Sequence, residues 1–351
     1  MPATGETLSP LNPKVHVSSV GQSQSEAAAP TWQQELANAV RTPEELCSRL
    51  GLSLESVSPK AAATFPALVT ESFLKRMEVG NPFDPLLLQV WPASDEEETV
   101  AGFVSDPTGD LQSQSTQGLL RKYSGRALLV LNGACAIHCR YCFRREFPYD
   151  LAPKSLAAWE PAFEQIGADE TLSEVILSGG DPLIWNDHKL KRLIDRIEQI
   201  PHVQRLRIHS RIPVVLPSRI TAELIETLRN TRLKVVMVIH SNHRNELQGD
   251  CLDQLTRLQR SGIPILNQAV LLRGINDSVE ALVDLCEHCA NIGVMPYYLH
   301  QLDRVSGASH FEVPIEKGKQ LVDELRKRLP GYAVPRYVQE VPGALSKLPI
   351  E

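Results

Sequence analysis

Six apolar runs rich in β-branched residues recur along this 351-residue chain, at 127–131, 174–178, 204–209, 233–240, 263–271 and 294–299. Amphipathic stretches lie between most of them, among them 189–199, 220–230, 250–260 and 279–291. Strand–helix alternation with a step of about thirty residues implies parallel strands joined by right-handed crossovers. Six such units make an incomplete (β/α)6-type barrel, less closed than the eight-unit form. A doubly wound open sheet is the alternative, because periodicity alone does not decide closure. In either fold the site lies at the carboxyl ends of the strands.

Directly after the first run comes CAIHCRYC, which spaces Cys135, Cys139 and Cys142 as Cys-x3-Cys-x2-Cys. Seven cysteines in 351 positions give this triplet an expected chance count of about 0.003. A [4Fe–4S] cube takes four ligands, one per iron. Three cysteines therefore leave one iron open for a small molecule to chelate. Two further readings stand beside this one: three of four zinc ligands, with His138 inside the loop as a fourth, or three unrelated buried thiols. Cys286 and Cys289 share a helix face and read as ordinary helix residues.

With 42% hydrophobic and 22% charged residues the chain has the composition of a soluble globular protein. Its net charge of −6, with no long basic block, argues against a nucleic-acid binder. An odd cysteine count argues against a secreted disulfide framework, and residues 1–30 hold no apolar run suited to a signal peptide. No stretch approaches the roughly 18 apolar residues of a membrane span. The expectation is a cytoplasmic protein.

In order, residues 1–30 read as a flexible N-terminus and 31–120 as a helical accessory region with a linker. Thr42-Pro43-Glu44-Glu45 announces a helix with a capping box. Residues 92–118 read as irregular, and the acidic run 95–98 as solvated. The partial barrel is expected over 121–300, followed by a C-terminal segment over 301–351. The second run ends in Ser178-Gly179-Gly180-Asp181, where two glycines let backbone carbonyls approach a ligand ammonium, or simply make a tight turn. Later runs end in His209-Ser210-Arg211, His240-Ser241-Asn242, Asn267-Gln268 and Tyr297-Tyr298. Each alone is an ordinary polar terminus; their recurrence at one end of the barrel raises them. Lys347, near the end of the chain, reads by itself as a solvated charge.

Taken together these residues resemble the radical S-adenosylmethionine (SAM) superfamily and, within it, the lysine 2,3-aminomutases, especially the short members that form β-lysine for elongation factor P. The likeness covers roughly 80–350 and rests on GNPFDPLLLQVWP, KYSGRALLVLNGACAIHCRYCFRREFPY, ILSGGDPL, SRIPVVLPSRIT, VLLRGIND and PYYLHQLD in that order.

The resemblance implies that SAM chelates the open iron and yields a 5′-deoxyadenosyl radical on reduction. It implies SAM contacts from Ser178, Gly179, Gly180 and Asp181, and from His240 and Gln268. It makes Lys347 the lysine that holds pyridoxal 5′-phosphate (PLP) as a Schiff base, with Lys122, Tyr123 and Arg126 at the phosphate. The need is chemical, because a bare amine offers a radical no low-lying orbital, whereas an imine does. Arg144 then pairs the substrate α-carboxylate, while Asp303 and Glu340 hold the lysine ε-ammonium. Glu340 falls where the family usually has aspartate, which keeps the charge and lengthens the arm.

The implied activity is migration of the 2-amino group of L-lysine to C3, giving β-lysine, expected as the R form. Flavodoxin or ferredoxin is the implied electron donor, and elongation factor P with its lysyl ligase the implied functional partners. Two distal carboxylates count against a glutamate 2,3-aminomutase. A radical SAM methylase, which needs no PLP, and a zinc-stabilised binding module without catalysis compete with the aminomutase. Longer relatives carry a cysteine-rich zinc extension, which this sequence, ending at Glu351, lacks.

Overall fold

The computed structural model describes residues 31–351, which pack as one unit. The flexible N-terminus expected over 1–30 lies outside the described residues. Four short helices come first: α1 (Trp32–Ala37), α2 (Pro43–Leu50), α3 (Pro59–Thr64) and α4 (Glu71–Leu74). Each begins behind a Ser or Thr whose oxygen accepts a first-turn N–H: Thr31, Thr42, Ser58 and Thr70. The capping box expected at Thr42 forms only its first half. The reciprocal pair closes at Thr31, whose N–H donates to Gln34 Oε1 at 2.8 Å.

Ten strands then form one sheet in sequence order. β1 (Gln114–Thr116), β2 (Leu119–Leu120) and β3 (Arg126–Val130) pair antiparallel. From β3 onward the pairing is parallel through β4 (Glu174–Ser178), β5 (Arg205–Ser210), β6 (Lys234–His240), β7 (Ile265–Val270), β8 (Met295–His300) and β9 (Arg336–Gln339). β10 (Leu348–Pro349) folds back antiparallel on β9. The connections carry α5 (Glu160–Ala168), α6 (Asp187–Glu198), α7 (Ile212–Val215), α8 (Ala222–Arg229), α9 (Asp250–Arg260), α10 (Val279–Asn291) and α11 (Ile315–Arg328). The six expected units are all present, and α11 with β9 adds a seventh parallel strand, too short to announce itself as an apolar run. The stretch expected as irregular linker ends in β1.

Closure is decided by one contact. Laid flat, β3 and β9 would stand six strand spacings apart, about 29 Å. Yet the hydroxyl of Tyr123, just before β3, donates to Glu340, just after β9, at 2.6 Å. The sheet must curl to bring them together. It is a partial barrel, with side chains rather than a strand ladder spanning its gap, and not an open doubly wound sheet.

The period-two alternation of the strands sorts their residues. Ala127, Leu129, Val175, Leu177, Leu206, Ile208, Met237, Ile239, Ala269 and Leu299 belong to the main buried core, packed under the helices. The alternate positions carry Arg126, Ser178, Arg207, His209, His240, Gln268, Tyr298 and His300. The main apolar core therefore lies outside the curl, and on the concave face these polar side chains share the strands with Leu128, Val130, Ile176, Val238 and Leu266.

Candidate active site

Cys135, Cys139 and Cys142 lie in the loop that follows β3, as free and partly exposed thiols. Arg140, between them, is fully buried and forks onto Glu96 at 2.7 and 2.6 Å, while Arg145 reaches the same carboxylate at 3.0 Å. The acidic run 95–98 is thus not simply solvated, because Glu96 clamps the cysteine loop from outside. His138, the fourth ligand a zinc reading needs, stacks on Phe65 and pairs through Nδ1 with the Pro66 carbonyl at 2.8 Å.

Among the described residues no three His, Cys, Asp or Glu side chains converge on a single metal ion. A cube instead takes one sulfur at each of three irons. Burial pushes the Cys142 thiol up to about 11, and burial with its neighbours holds Cys135 well above the ordinary thiol range. Three thiolates here need compensating cations, which is what coordinated iron provides. The donor set fits an iron–sulfur cluster.

The loop after β4 is stitched to the cysteine loop. Gly180 N–H donates to Asn132 O at 2.6 Å and Asp181 N–H to Ala134 O at 2.8 Å. A Cβ on Gly180 would meet Ala134 O at 2.5 Å, and one on Gly179, whose φ is +128°, would meet Asn132 O at 2.6 Å. The glycines make room for neighbouring backbone, as the tight-turn reading of this stretch requires. The Asp181 carboxylate is tied into the fold on several sides. It accepts from Ser210 Oγ at 2.7 Å and from the N–H groups of Arg211, Ile212 and Leu183 at 2.8, 3.1 and 3.0 Å. Burial pushes it up to about 6 against those four donors. It joins the ends of β4 and β5.

Inside the curl, His240 ends β6 beside Gln268 on β7, and its Nε2 lies 2.8 Å from the hydroxyl of Tyr141, a residue between two of the cysteines. Burial, then the Arg211 charge, lowers His240 to about 3, so it is neutral. His209 and His300 are likewise held far below the imidazole range by burial and by cations that include Lys347.

Lys347, just before β10, points inward at Glu340: its Nζ is 2.5 Å from Oε2. Glu340 Oε1 accepts from Tyr123 at 2.6 Å and lies 3.3 Å from Lys122 Nζ. Burial opposes ionisation of Glu340, but Lys347, Tyr123 and Lys122 outweigh it and lower its pKa. Arg126 stands over the Tyr123 ring, 5.1 Å from its centroid. An ammonium and a phenol already converge on one anionic oxygen, so this donor set fits a phosphate. Asp303 makes no side-chain hydrogen bond among the described residues, and burial, partly offset by Lys347, pushes it up to about 7.

One residue escaped the sequence reading. Asp110, almost fully buried, bridges Lys122 Nζ at 2.5 Å and Arg144 Nε at 2.6 Å, and these cations hold it ionised far below the carboxylate range despite burial. Its segment, Thr108-Gly109-Asp110, looked like linker, and a lone acid there carries no local signal. Arg144 Nη1 donates to Ser178 Oγ at 2.9 Å, and Nη2 is left without a hydrogen bond among the described residues.

Residues 129–286 match the Radical SAM superfamily. The L-lysine 2,3-aminomutase of Escherichia coli K12 is 43% identical over 91% of this chain and 94% of its own. That of Haemophilus influenzae is 42% identical over 90% and 94%, and that of Clostridium subterminale 34% over 91% and 77%. Among solved structures, Streptococcus suis SuiB bound to the precursor peptide SuiA aligns over 63% of this chain and 50% of its own, at 14% identity and a TM-score of 0.46. Identity of this depth over nine-tenths of both chains in the Escherichia coli comparison places the protein in the lysine 2,3-aminomutase family of radical SAM isomerases.

Proposed function

We propose that this protein moves the 2-amino group of L-lysine to C3, forming β-lysine, expected as the R enantiomer. The observation that carries the reading is the inward placement of Lys347 beside Glu340, within the electrostatic reach of Asp303, His209 and His300. When bound, a reduced [4Fe–4S] cluster with SAM supplies a hydrogen-abstracting radical, and PLP supplies the aldehyde carbon that carries nitrogen across.

The chain's own residues do the positioning. Cys135, Cys139 and Cys142 would ligate three irons, with His240 and Gln268 on the strand ends nearby. Lys347 would hold PLP, and Lys122, Tyr123 and Arg126 its phosphate. Arg144 is fixed by Asp110 and Ser178 on two of its nitrogens, and Nη2 would pair a substrate carboxylate. Asp303 and Glu340 form the distal acidic pair for an ε-ammonium. Neutral His209, His240 and His300 line the space between without adding cationic charge beside Lys347. Both distal groups are anionic when ionised, which favours a cationic side chain over glutamate.

The same proposal extends to a cytoplasmic setting, to flavodoxin or ferredoxin as electron donor, and to supply of β-lysine for elongation factor P through its lysyl ligase. No described helix is long and apolar enough to cross a membrane. The test is anaerobic reconstitution with iron, sulfide, SAM, PLP and a reductant, followed by chiral analysis of the products from L-lysine. (R)-β-lysine is the expected product. A preparation loaded with cluster and PLP that leaves lysine unchanged would overturn the reading.

A further inference from the structure

Arg211, in the turn between β5 and α7, is buried, and its guanidinium Nη1 lies 2.7 Å from Cys139 Sγ. Among the described residues, neither Cys135 nor Cys142 has a charged side chain hydrogen-bonded to its sulfur. The guanidinium is held on several sides. Nη2 donates to Gln89 Oε1 at 2.5 Å and to Glu246 Oε2 at 2.9 Å, and the rings of Phe73 and Tyr141 lie 5.5 and 5.8 Å away. Glu246, fully buried, accepts at Oε1 from Gln89 Nε2 at 3.1 Å and from the Asn242 and His243 N–H groups at 2.8 and 3.0 Å. The result is a buried line of sulfur, guanidinium and carboxylate, braced from the accessory region by Gln89.

We propose that Arg211 is a positioning residue for Cys139 and that the Arg211–Glu246 pair sets the reduction potential of the cluster. The inference rests on the reading of the three cysteines as cluster ligands. Reduction adds one negative charge to the cluster. A fixed cation at a ligand sulfur favours that state, and a carboxylate behind the cation partly cancels the effect. Hydrogen bonds to ligand sulfurs and charges just beyond them are established means of tuning such centres.

Opposite signs make the test sharp. Reconstituted wild type, Arg211→Gln, Arg211→Lys and Glu246→Gln are titrated anaerobically, and the reduced cluster is read by electron paramagnetic resonance. Arg211→Gln should shift the midpoint to more negative potential, with a tenfold lower ratio of reduced to oxidised cluster at the wild-type midpoint, about 59 mV for one electron. Glu246→Gln should shift it to more positive potential, and Arg211→Lys should sit closer to wild type than Arg211→Gln does. Equal midpoints at wild-type iron and sulfide content, or shifts of the same sign, would overturn the proposal. So would equal loss of iron from Arg211→Gln and Arg211→Lys, which marks a purely structural anchor. Failure of the underlying ligand reading looks different, since wild type itself would then take up no cluster.

Discussion

The ammonium of Lys347 and the carboxylate of Glu340 lie 2.5 Å apart across the antiparallel turn that joins β9 to β10. The residue assigned to hold the cofactor and a residue assigned to hold the substrate's far end thus satisfy each other. Tyr123 and Lys122, assigned to the cofactor phosphate, meet the other oxygen of the same carboxylate. Loading the site must redistribute these partners, and Glu340 is the group on which that redistribution turns.

Glu340→Gln keeps the shape and removes the charge. A hydrogen bond to a charged group contributes about 1.5–3 kcal/mol, so kcat/KM for lysine should fall roughly ten- to hundredfold. Glu340→Asp retains the charge and should fall far less. Steady-state kinetics on the two variants decide it: equal losses would show that the charge is not what matters.

Asp303 has a pKa of about 7 because burial penalises its charged form. It must ionise to hold an ammonium, so KM for lysine should climb as pH falls through 7, by up to about tenfold per pH unit. Stability runs the other way. The folded pKa lies above the unfolded value, so the native state binds more protons, and this group's contribution is lost as pH rises from about 4 to 7. In protein free of PLP and SAM, Asp303→Asn should therefore melt higher than wild type above pH 7, and in the reconstituted enzyme it should lose the low-pH rise in KM. Thermal melts and KM measured from about pH 5 to 8 check both.

Asp110 holds Arg144 and Lys122 in one geometry. Asp110→Asn leaves a neutral acceptor between two cations, and breaking buried pairs of this kind costs about 3–5 kcal/mol. Both PLP affinity and lysine KM should worsen, while iron and sulfide content stays at the wild-type level. A variant with normal PLP binding and normal KM would remove Asp110 from the site.

Glu96→Gln breaks the clamp on Arg140 and Arg145, both nearly inaccessible to solvent. A loss of about 3–5 kcal/mol is expected, read as a lower urea midpoint, together with faster loss of iron on exposure to air. An unchanged midpoint would mean that the two arginines find new partners.

Six of the seven parallel strands were legible because each falls in a stretch rich in apolar and β-branched residues, with amphipathic stretches between most of them that cover the sheet's outer face. The cysteine triplet was legible for a different reason: its spacing is local and improbable. β9 and β10 were not, since strands of four and two residues leave no periodic signal. Glu96 and Asp110 were misread as linker acids because a carboxylate's fate depends on which arginine meets it, and Arg140 and Arg144 are more than thirty residues away. The glycines of the 178–181 loop were legible as a tight turn, but which segment crowds them, the backbone of 132–134, was not.

By itself the amino-acid order determined the strand–helix succession, the three sulfurs within eight residues and a lysine shortly before the terminus, since all of these are short-range or covalent. Only the tertiary structure decided that the sheet curls far enough for Tyr123 to meet Glu340, and hence that cations from 122 and 144 and carboxylates from 110, 303 and 340 share one space with Lys347. Charge pairing between segments about two hundred residues apart leaves no pattern in either segment; it exists only once strand tilt and curl have brought them together.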